Sequence, residues 1–208
     1  MSGSDGRPIF LLSPAYCAGR RATILLRDDS ALPIALRLRA GTLPLGEAFA
    51  FLSGLYFRGK LAYAQAFAPT QTLVITPTRG LMPPAAPVGA DLLREFASVD
   101  VRADDVRYRR PLERDLATLI GGRADTRVVL LGSIATGKYV DVLTAALGRR
   151  LCYPPSFVGR GDMSRGGLLL RAAREGVELE YAVLDPHARR HGPRPPRLDP
   201  PAGSMVRP

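Results

Sequence analysis

Short apolar runs alternate along this chain with segments of helical periodicity. The runs at residues 9–12, 73–76, 127–131, 151–153 and 177–184 have the length and composition of strands, and residues 34–38 form a further candidate strand. Between them, apolar residues recur three and four positions apart at 45–52, 58–67, 91–97, 111–120, 138–147 and 162–175, which predicts helices. Strands separated by helices favour an α/β fold with a largely parallel sheet flanked by helices.

The last segment of the chain differs from the rest in composition. Residues 186–208 contain seven prolines, five arginines and both histidines of the chain. Such a segment buries too little apolar surface to offset its ordering entropy, so we predict a disordered tail. We therefore expect one α/β domain over residues 1–185 and a Pro/Arg-rich tail that adds to polyanion affinity.

The chain has 208 residues and a formal net charge of +10. A basic balance favours polyanions as partners, because cations release counterions from phosphates. No apolar run approaches the length of a membrane-spanning helix, and the first residues do not resemble a secretory signal, so we predict a cytoplasmic protein with no membrane partner. Two cysteines cannot form a metal cluster, and no motif calls for a cofactor, so none is expected.

The stretch VVLLGSIATGKY, residues 128–139, reads as a strand that leads into Gly-x-x-x-x-Gly-Lys. That spacing is typical of the phosphate-binding loop of nucleotide hydrolases, which needs Ser or Thr after the lysine to hold magnesium. Here the position is Tyr139, so we predict no magnesium-dependent nucleotide hydrolysis. The first amides of the following helix can still bind an anion. The alternative is a plain glycine-rich turn with an exposed lysine.

The loops that follow the predicted strands are rich in glycine, hydroxyl and arginine residues. In an open α/β sheet, ligands bind beyond the carboxyl ends of the strands, so these loops predict one anion or nucleotide-sized pocket. Tyr56 is the candidate for base stacking. The candidate ligand-binding residues are Ser13, Tyr56, Lys60, Arg79, Gly132, Lys138, Arg160 and Arg165.

Catalysis has few candidates in this sequence. Residues 1–185 contain no histidine, which excludes Ser-His and Cys-His nucleophile pairs within them. Asp162, between Arg160 and Arg165, is the candidate general acid or base, or else a helix N-cap. Cys17 is either a thiol activated by a helix N-terminus or a buried inert one.

Several segments occur in an order that resembles the YaaA-like group of bacterial peroxide-stress proteins. They are FLLSPAYC, LYFRGKLAYAQAF, LVITPTRGLMPP, VVLLGSIATGKYVDVL and FVGRGDMSRGGLLLR, over about residues 8–175. The resemblance implies an α/β domain tied to DNA protection or base modification, and residues 132–139 are similar to the group's own strand–turn–helix. The chain departs from the group at Tyr16 and Cys17, where many relatives carry a lysine, and no reaction is implied.

Three functions follow from these patterns. The leading prediction is a protein that binds nucleic acid or a nucleotide-like anion at the carboxyl edge of its sheet. The alternative is an enzyme acting on a nucleobase or nucleoside, of glycosylase or base-transferase type, with Asp162 as acid or base. A third is a small interaction protein whose basic tail makes the contacts.

Overall fold

Strands and helices alternate in the computed structural model of the protein, which describes residues 7–121, 126–185, 188 and 190–196. The strands are β1 (Ile9–Leu12), β2 (Leu43–Pro44), β3 (Thr72–Ile75), β4 (Leu81–Met82), β5 (Pro87–Val88), β6 (Val128–Leu131), β7 (Leu151–Tyr153) and β8 (Ala182–Val183). The α-helices are α1 (Arg20–Leu25), α2 (Pro33–Arg39), α3 (Leu45–Ser53), α4 (Leu55–Phe67), α5 (Ala90–Ala97), α6 (Val106–Ile120), α7 (Gly137–Leu147) and α8 (Asp162–Glu175).

Six of the strands form one sheet in the order β4-β3-β1-β6-β7-β8. The four central strands are parallel, and the two edge strands, β4 and β8, run antiparallel to their neighbours. Strands β2 and β5 pair separately as a small antiparallel ribbon. The prediction of an α/β fold with a largely parallel, helix-flanked sheet is confirmed.

The sheet separates two apolar cores, because alternate residues of a strand face opposite sides. Phe10 and Leu12 of β1 belong to the larger core, where they join buried residues of α3, α4 and α8. Ile9 and Leu11 belong to the second core, which contains the buried faces of α6 and α7. The central strands are therefore buried on both faces, which explains why they read as continuous apolar runs.

The predicted strand at 34–38 is wrong, because these residues lie in helix α2. Pro33 takes the first helical position, where a missing amide hydrogen costs nothing. Ala35 and Leu38 are buried while Leu36 is exposed, so the buried spacing is that of a helix. The apolar residues of this short segment fit both the strand period and the helix period, and Pro33 favours the helix.

Two further predicted elements differ from their predicted bounds by five residues or more, and the helix predicted at 58–67 begins three residues earlier, at Leu55. Helix α6 begins at Val106 instead of residue 111, because the Asp105 carboxylate accepts a hydrogen bond from Arg107 N at 2.9 Å and caps the helix. The last strand shrinks from 177–184 to the two residues of β8. Gly176 ends α8 in the left-handed conformation, and the exposed Val177 follows outside the sheet.

Helices α4 and α8 pack closely through two glycines. A Cβ atom at Gly59 would lie 2.6 Å from Gly166 O, and one at Gly166 would lie 2.8 Å from Leu55 O. Neither position has room for a side chain, so the two helix backbones approach each other directly. This contact places Tyr56 and Lys60 of α4 beside the first turn of α8.

The predicted tail, residues 186–208, lies largely outside the described residues. In its described part, Arg190 forms an ion pair with Asp141 at 3.9 Å, and Pro196 O accepts a hydrogen bond from Arg160 at 3.4 Å. These two contacts hold part of residues 190–196 against the domain. Over the described ranges, none of the helices has the length and apolar character needed to cross a membrane.

Candidate functional site at the carboxyl edge of the sheet

A cavity of about 720 Å³ lies where the chain leaves the carboxyl ends of β1 and β6. Its walls come from residues 13–22 after β1, from α3 and α4, from the turn between β6 and α7, from residues 96, 97 and 99–102, and from the first residue of α8. This is the edge at which the loops of an open parallel sheet bind ligands. The predicted position of the pocket and the position of this cavity coincide.

Ser13 lies on the floor of the cavity, directly after the last residue of β1. Its amide donates to Leu131 O of β6 at 3.2 Å, so the sheet ladder fixes its position. A Cβ atom at Gly132 would lie 2.8 Å from Ser13 Cβ and 3.0 Å from its Oγ. Gly132 is not a lining residue; it leaves the space in which the Ser13 side chain stands. Ser13 is 4% exposed.

Lys60 reaches the same floor from α4. Its Nζ donates to Ser13 O at 2.6 Å and to Ser13 Oγ at 2.9 Å. The ammonium also lies 4.5 Å from the centre of the Tyr56 ring and 4.6 Å from that of Phe57. Lys60 is 1% exposed, so two oxygens and two ring faces replace its water shell.

Burial lowers the pKa of Lys60 to about 7. The nearby Asp162 carboxylate acts against this effect, and the Arg165 guanidinium adds to it. Desolvation dominates because a buried ammonium loses hydration that two hydrogen bonds only partly replace. At neutral pH the Ser13 hydroxyl therefore lies beside an amine that carries its third proton only part of the time.

The prediction that Tyr56 stacks on a base needs correction. Its ring is 5% exposed, Lys60 covers one face, and Phe157 packs edge-on at 6.5 Å between ring centres. Tyr56 lines the cavity with its buried side chain, and its hydroxyl has no hydrogen-bond partner among the described residues. Burial raises the pKa of this phenol, which keeps it a neutral donor.

Tyr139 takes the position where a phosphate-binding loop would hold its magnesium hydroxyl. It is buried at the start of α7 and lines the cavity floor. Burial raises the pKa of the phenol, while hydrogen bonding to the Ser13 side chain and the Ser133 backbone acts in the opposite direction. Tyr139 is thus part of the same hydroxyl cluster as Ser13.

Four cations stand around the cavity in addition to Lys60. They are Arg20, Arg21, Arg102 and Lys138. Two carboxylates, those of Asp100 and Asp162, share the rim. Arg102 forms a two-pronged ion pair with Asp104, with Nη2 2.7 Å from Oδ2, so its charge is already balanced. Lys138 is exposed in the first turn of α7, and no ion-pair partner for it occurs in the described part of the chain. The sequence prediction included only Lys138 of these cations.

Asp162 and Arg165 lie one turn apart at the start of α8. Asp162 Oδ1 accepts from Arg165 Nη1 at 3.2 Å, and Arg165 Nε donates to Phe157 O at 3.2 Å. The Asp162 side chain is 69% exposed at the cavity rim, whereas Arg165 is buried behind it. Asp162 is the first helical residue and not the N-cap, which is Gly161. If Asp162 acts as an acid or base, it does so while it is ion-paired with Arg165.

Arg165, a predicted ligand contact, does not line the cavity, and two further predicted contacts are also directed elsewhere. Arg79 forms a two-pronged pair with Glu95, with Nε 2.8 Å from Oε1, and does not line the cavity. Arg160 donates to Ser156 O at 3.0 Å and Ser164 Oγ at 3.1 Å, so it braces the start of α8. Both guanidinium groups already have partners, and the prediction that they contact the ligand needs correction.

Cys17 also lines the cavity but is buried. Its Sγ donates to Ala15 O at 3.4 Å, and burial raises the pKa of the thiol to about 12. A thiol with a raised pKa is a poor nucleophile at neutral pH. Of the two alternatives for Cys17, the structure therefore favours the inert thiol.

Sequence reasoning missed the aromatic ring at the mouth of the cavity. Tyr16 is 70% exposed and lines the cavity, and Gly19 leaves room for its ring, since a Cβ there would lie 3.2 Å from Tyr16 Cδ1. The sequence did contain a signal for Tyr16 as a site residue, because it lies in the loop after β1, three residues beyond Ser13. Tyr16 is the ring that a planar ligand can reach.

In the described ranges, no group of three or more His, Cys, Asp and Glu side chains is arranged to hold a metal ion. No family model matches the chain, and neither a curated protein nor a solved structure matches it. The resemblance to the YaaA-like group therefore stays a prediction.

Proposed function

We propose that the cavity at the carboxyl edge of the sheet binds a small nucleotide-like anion. The observation that carries this proposal is the charge of the rim. Arg102 is paired with Asp104 and Asp162 with Arg165, which leaves Arg20, Arg21 and Lys138 against Asp100 among the described lining residues, an excess of two positive charges. A cavity of about 720 Å³ lies in the size range of small-ligand sites. A cationic mouth of that size suits a phosphate with an attached ring.

The parts of such a ligand have separate places. Lys138 and the first amides of α7 suit the phosphate, because a helix N-terminus and an ammonium both favour negative charge. Tyr16 offers an exposed face for a base, and base–aromatic stacking contributes about 1–3 kcal/mol. The neutral hydroxyls on the floor suit the polar edge of a sugar or base.

Single-stranded nucleic acid is the second candidate. The net charge of +10 favours it, because a basic surface around the rim would hold the phosphates that flank a bound nucleotide. In that case the cavity binds one nucleotide, and the surrounding arginines bind the phosphates of the adjacent nucleotides. Binding of an oligonucleotide but not of a mononucleotide would select this candidate.

Calorimetric titration without metal tests the proposal, with AMP, inorganic phosphate and a ten-residue oligothymidylate as ligands. We expect Lys138→Ala and Arg20→Ala each to weaken AMP binding about fivefold or more, since a hydrogen bond to a charged group contributes roughly 1 kcal/mol or more. Arg149→Ala is the matched control, because Arg149 is exposed beyond the opposite end of α7. Equal AMP affinity in all three variants would refute the proposed site.

A further inference from the structure

The cavity floor holds a hydroxyl–amine pair that anion binding does not require. Ser13 Oγ and Lys60 Nζ are 2.9 Å apart, and both residues are buried. Of the 29 basic residues of the chain, only Lys60 and Lys138 are lysines, and both line this cavity. An arginine at position 60 could hold the same two oxygens but could not release a proton.

We propose that Ser13 is a nucleophile and Lys60 its general base, and that together they hydrolyse an ester that carries an anionic group. This inference rests on the proposed function, because the rim cations would hold the anionic part of the substrate above Ser13. The acyl carbon would then stand over the only serine of the chain that contacts a buried lysine in the described residues.

The surroundings of Lys60 support a change of protonation state. The groups that face it are Ser13 from the loop after β1, Tyr56 and Phe57 from its own helix, and Asp162 and Arg165 from α8. With its pKa lowered to about 7, the amine is unprotonated in half of the molecules near neutral pH. The 2.9 Å contact can then reverse, so that the Ser13 hydroxyl donates to the nitrogen lone pair.

The reaction has two steps that balance. In the first, Ser13 Oγ bonds to the acyl carbon, its proton passes to Lys60 Nζ, and the bond to the alcohol oxygen breaks as Lys60 returns the proton to that oxygen. In the second, water attacks the acyl-serine, Lys60 takes a proton from water, and Ser13 Oγ regains it as the carboxylic acid leaves. The sum is ester plus water giving acid plus alcohol.

Charge develops on the carbonyl oxygen in both steps and needs a donor. The Tyr56 side chain lines the cavity, and its buried hydroxyl has no hydrogen-bond partner among the described residues. A neutral phenol buried without a partner loses hydrogen-bond energy that a substrate oxygen can restore. We assign Tyr56 as the donor to that oxygen.

The test is covalent labelling of the full chain with a fluorophosphonate, followed by mass spectrometry of its peptides. The probe forms a bond from Ser13 Oγ to phosphorus and releases fluoride. We expect labelling at Ser13 whose rate rises as pH increases through about 7 and then levels off, because Lys60 loses its proton there. Lys60→Met and Lys60→Arg should each slow labelling at least 100-fold, the lower end of the usual general-base effect.

Ser13→Ala should abolish labelling, and Ser98→Ala, which removes an exposed hydroxyl bonded to Glu95 O, should leave labelling unchanged. The pH profile of the natural chain needs no variant, so it stands even if a Lys60 variant unfolds.

Unlabelled Ser13 in a chain that binds AMP would overturn this inference alone. Lys60-dependent labelling without AMP binding would keep the pair and refute the proposed ligand. Labelling that is indifferent to pH and to Lys60→Met would also overturn the inference.

Discussion

Lys60 is buried where water cannot solvate an ammonium, and this affects the stability of the whole domain. Its pKa in the folded chain is about 7, below the usual 10.5. Between these two values the unfolded chain holds a proton that the folded chain lacks. The contribution of Lys60 to stability therefore rises as pH increases from about 7 to 10.5, and its full penalty applies below pH 7.

Lys60→Met removes this penalty and also removes the donor to Ser13. We expect the stability of the variant relative to the natural chain to be higher at pH 6 than at pH 9, by roughly 2–3 kcal/mol in the free energy of unfolding. Urea unfolding at the two pH values measures the difference, and comparison within each pH cancels the other titrating groups. The exposed Lys138→Met is the control and should change stability by less than about 0.5 kcal/mol. A difference that does not vary with pH would contradict a neutral Lys60.

Some site residues could be chosen from the sequence and others could not. Ser13 follows an apolar strand, and a lysine is rare in this arginine-rich chain. Ser13, Lys60 and Lys138 could therefore be predicted as site residues from the sequence. Arg79 was misjudged because its partner, Glu95, lies 16 positions away on a different element. Pairing between distant residues depends on tertiary structure and leaves no local signal.

At the scale of elements, the contact between α4 and α8 brings the cavity floor together. It depends on Gly59 and Gly166, whose missing side chains allow one helix backbone to touch the other. Tyr56 and Lys60 lie on one helix of this pair, and Asp162 on the other. The spacing of the two helices therefore decides whether Lys60 can reach Ser13.

Gly166→Ala should separate the two helices. The new methyl group would lie 2.8 Å from Leu55 O and 2.9 Å from Tyr56 Cα, so backbone must move, and we expect a loss of at least about 2 kcal/mol in the free energy of unfolding. Gly161→Ala is the control, because no atom lies within 4 Å of its new methyl group; it should cost less than about 1 kcal/mol. Denaturant unfolding measures both losses. A loss for Gly166→Ala that is as small as the loss for Gly161→Ala would show that the helix contact tolerates a side chain.

Segments with clear end signals were predictable, and the shortest ones were not. Helix α8 has the predicted bounds, because its apolar periodicity and its flanking glycines agree, and strand β7 also has the predicted bounds. The six-residue helix α1 and the two-residue strands β2, β4 and β5 were not predicted. Elements this short carry too few residues to show a period, and packing against neighbours determines them.

At the scale of the whole molecule, strand order explains why the site forms. Strands β1 and β6 are distant in sequence but adjacent and parallel in the sheet, with Leu12 paired to Leu131. The loops that follow them therefore begin side by side and place Ser13 next to Tyr139. The sequence predicted that these loops share one edge, but not that the two strands are neighbours, since strand order depends on packing of the entire chain.

The two lysines allow a direct test of the central claim, that one cavity at this edge binds a nucleotide-like anion above the Ser13–Lys60 pair. Labelling lysine with ¹³C at the ε carbon gives two NMR signals, because Lys60 and Lys138 are the only lysines of the chain, and Lys138→Arg assigns them. Both residues line the cavity, one at its floor and one at its rim. We predict that AMP shifts both signals along a single binding curve. AMP that binds by calorimetry while both signals stay fixed would place its site elsewhere and contradict this account.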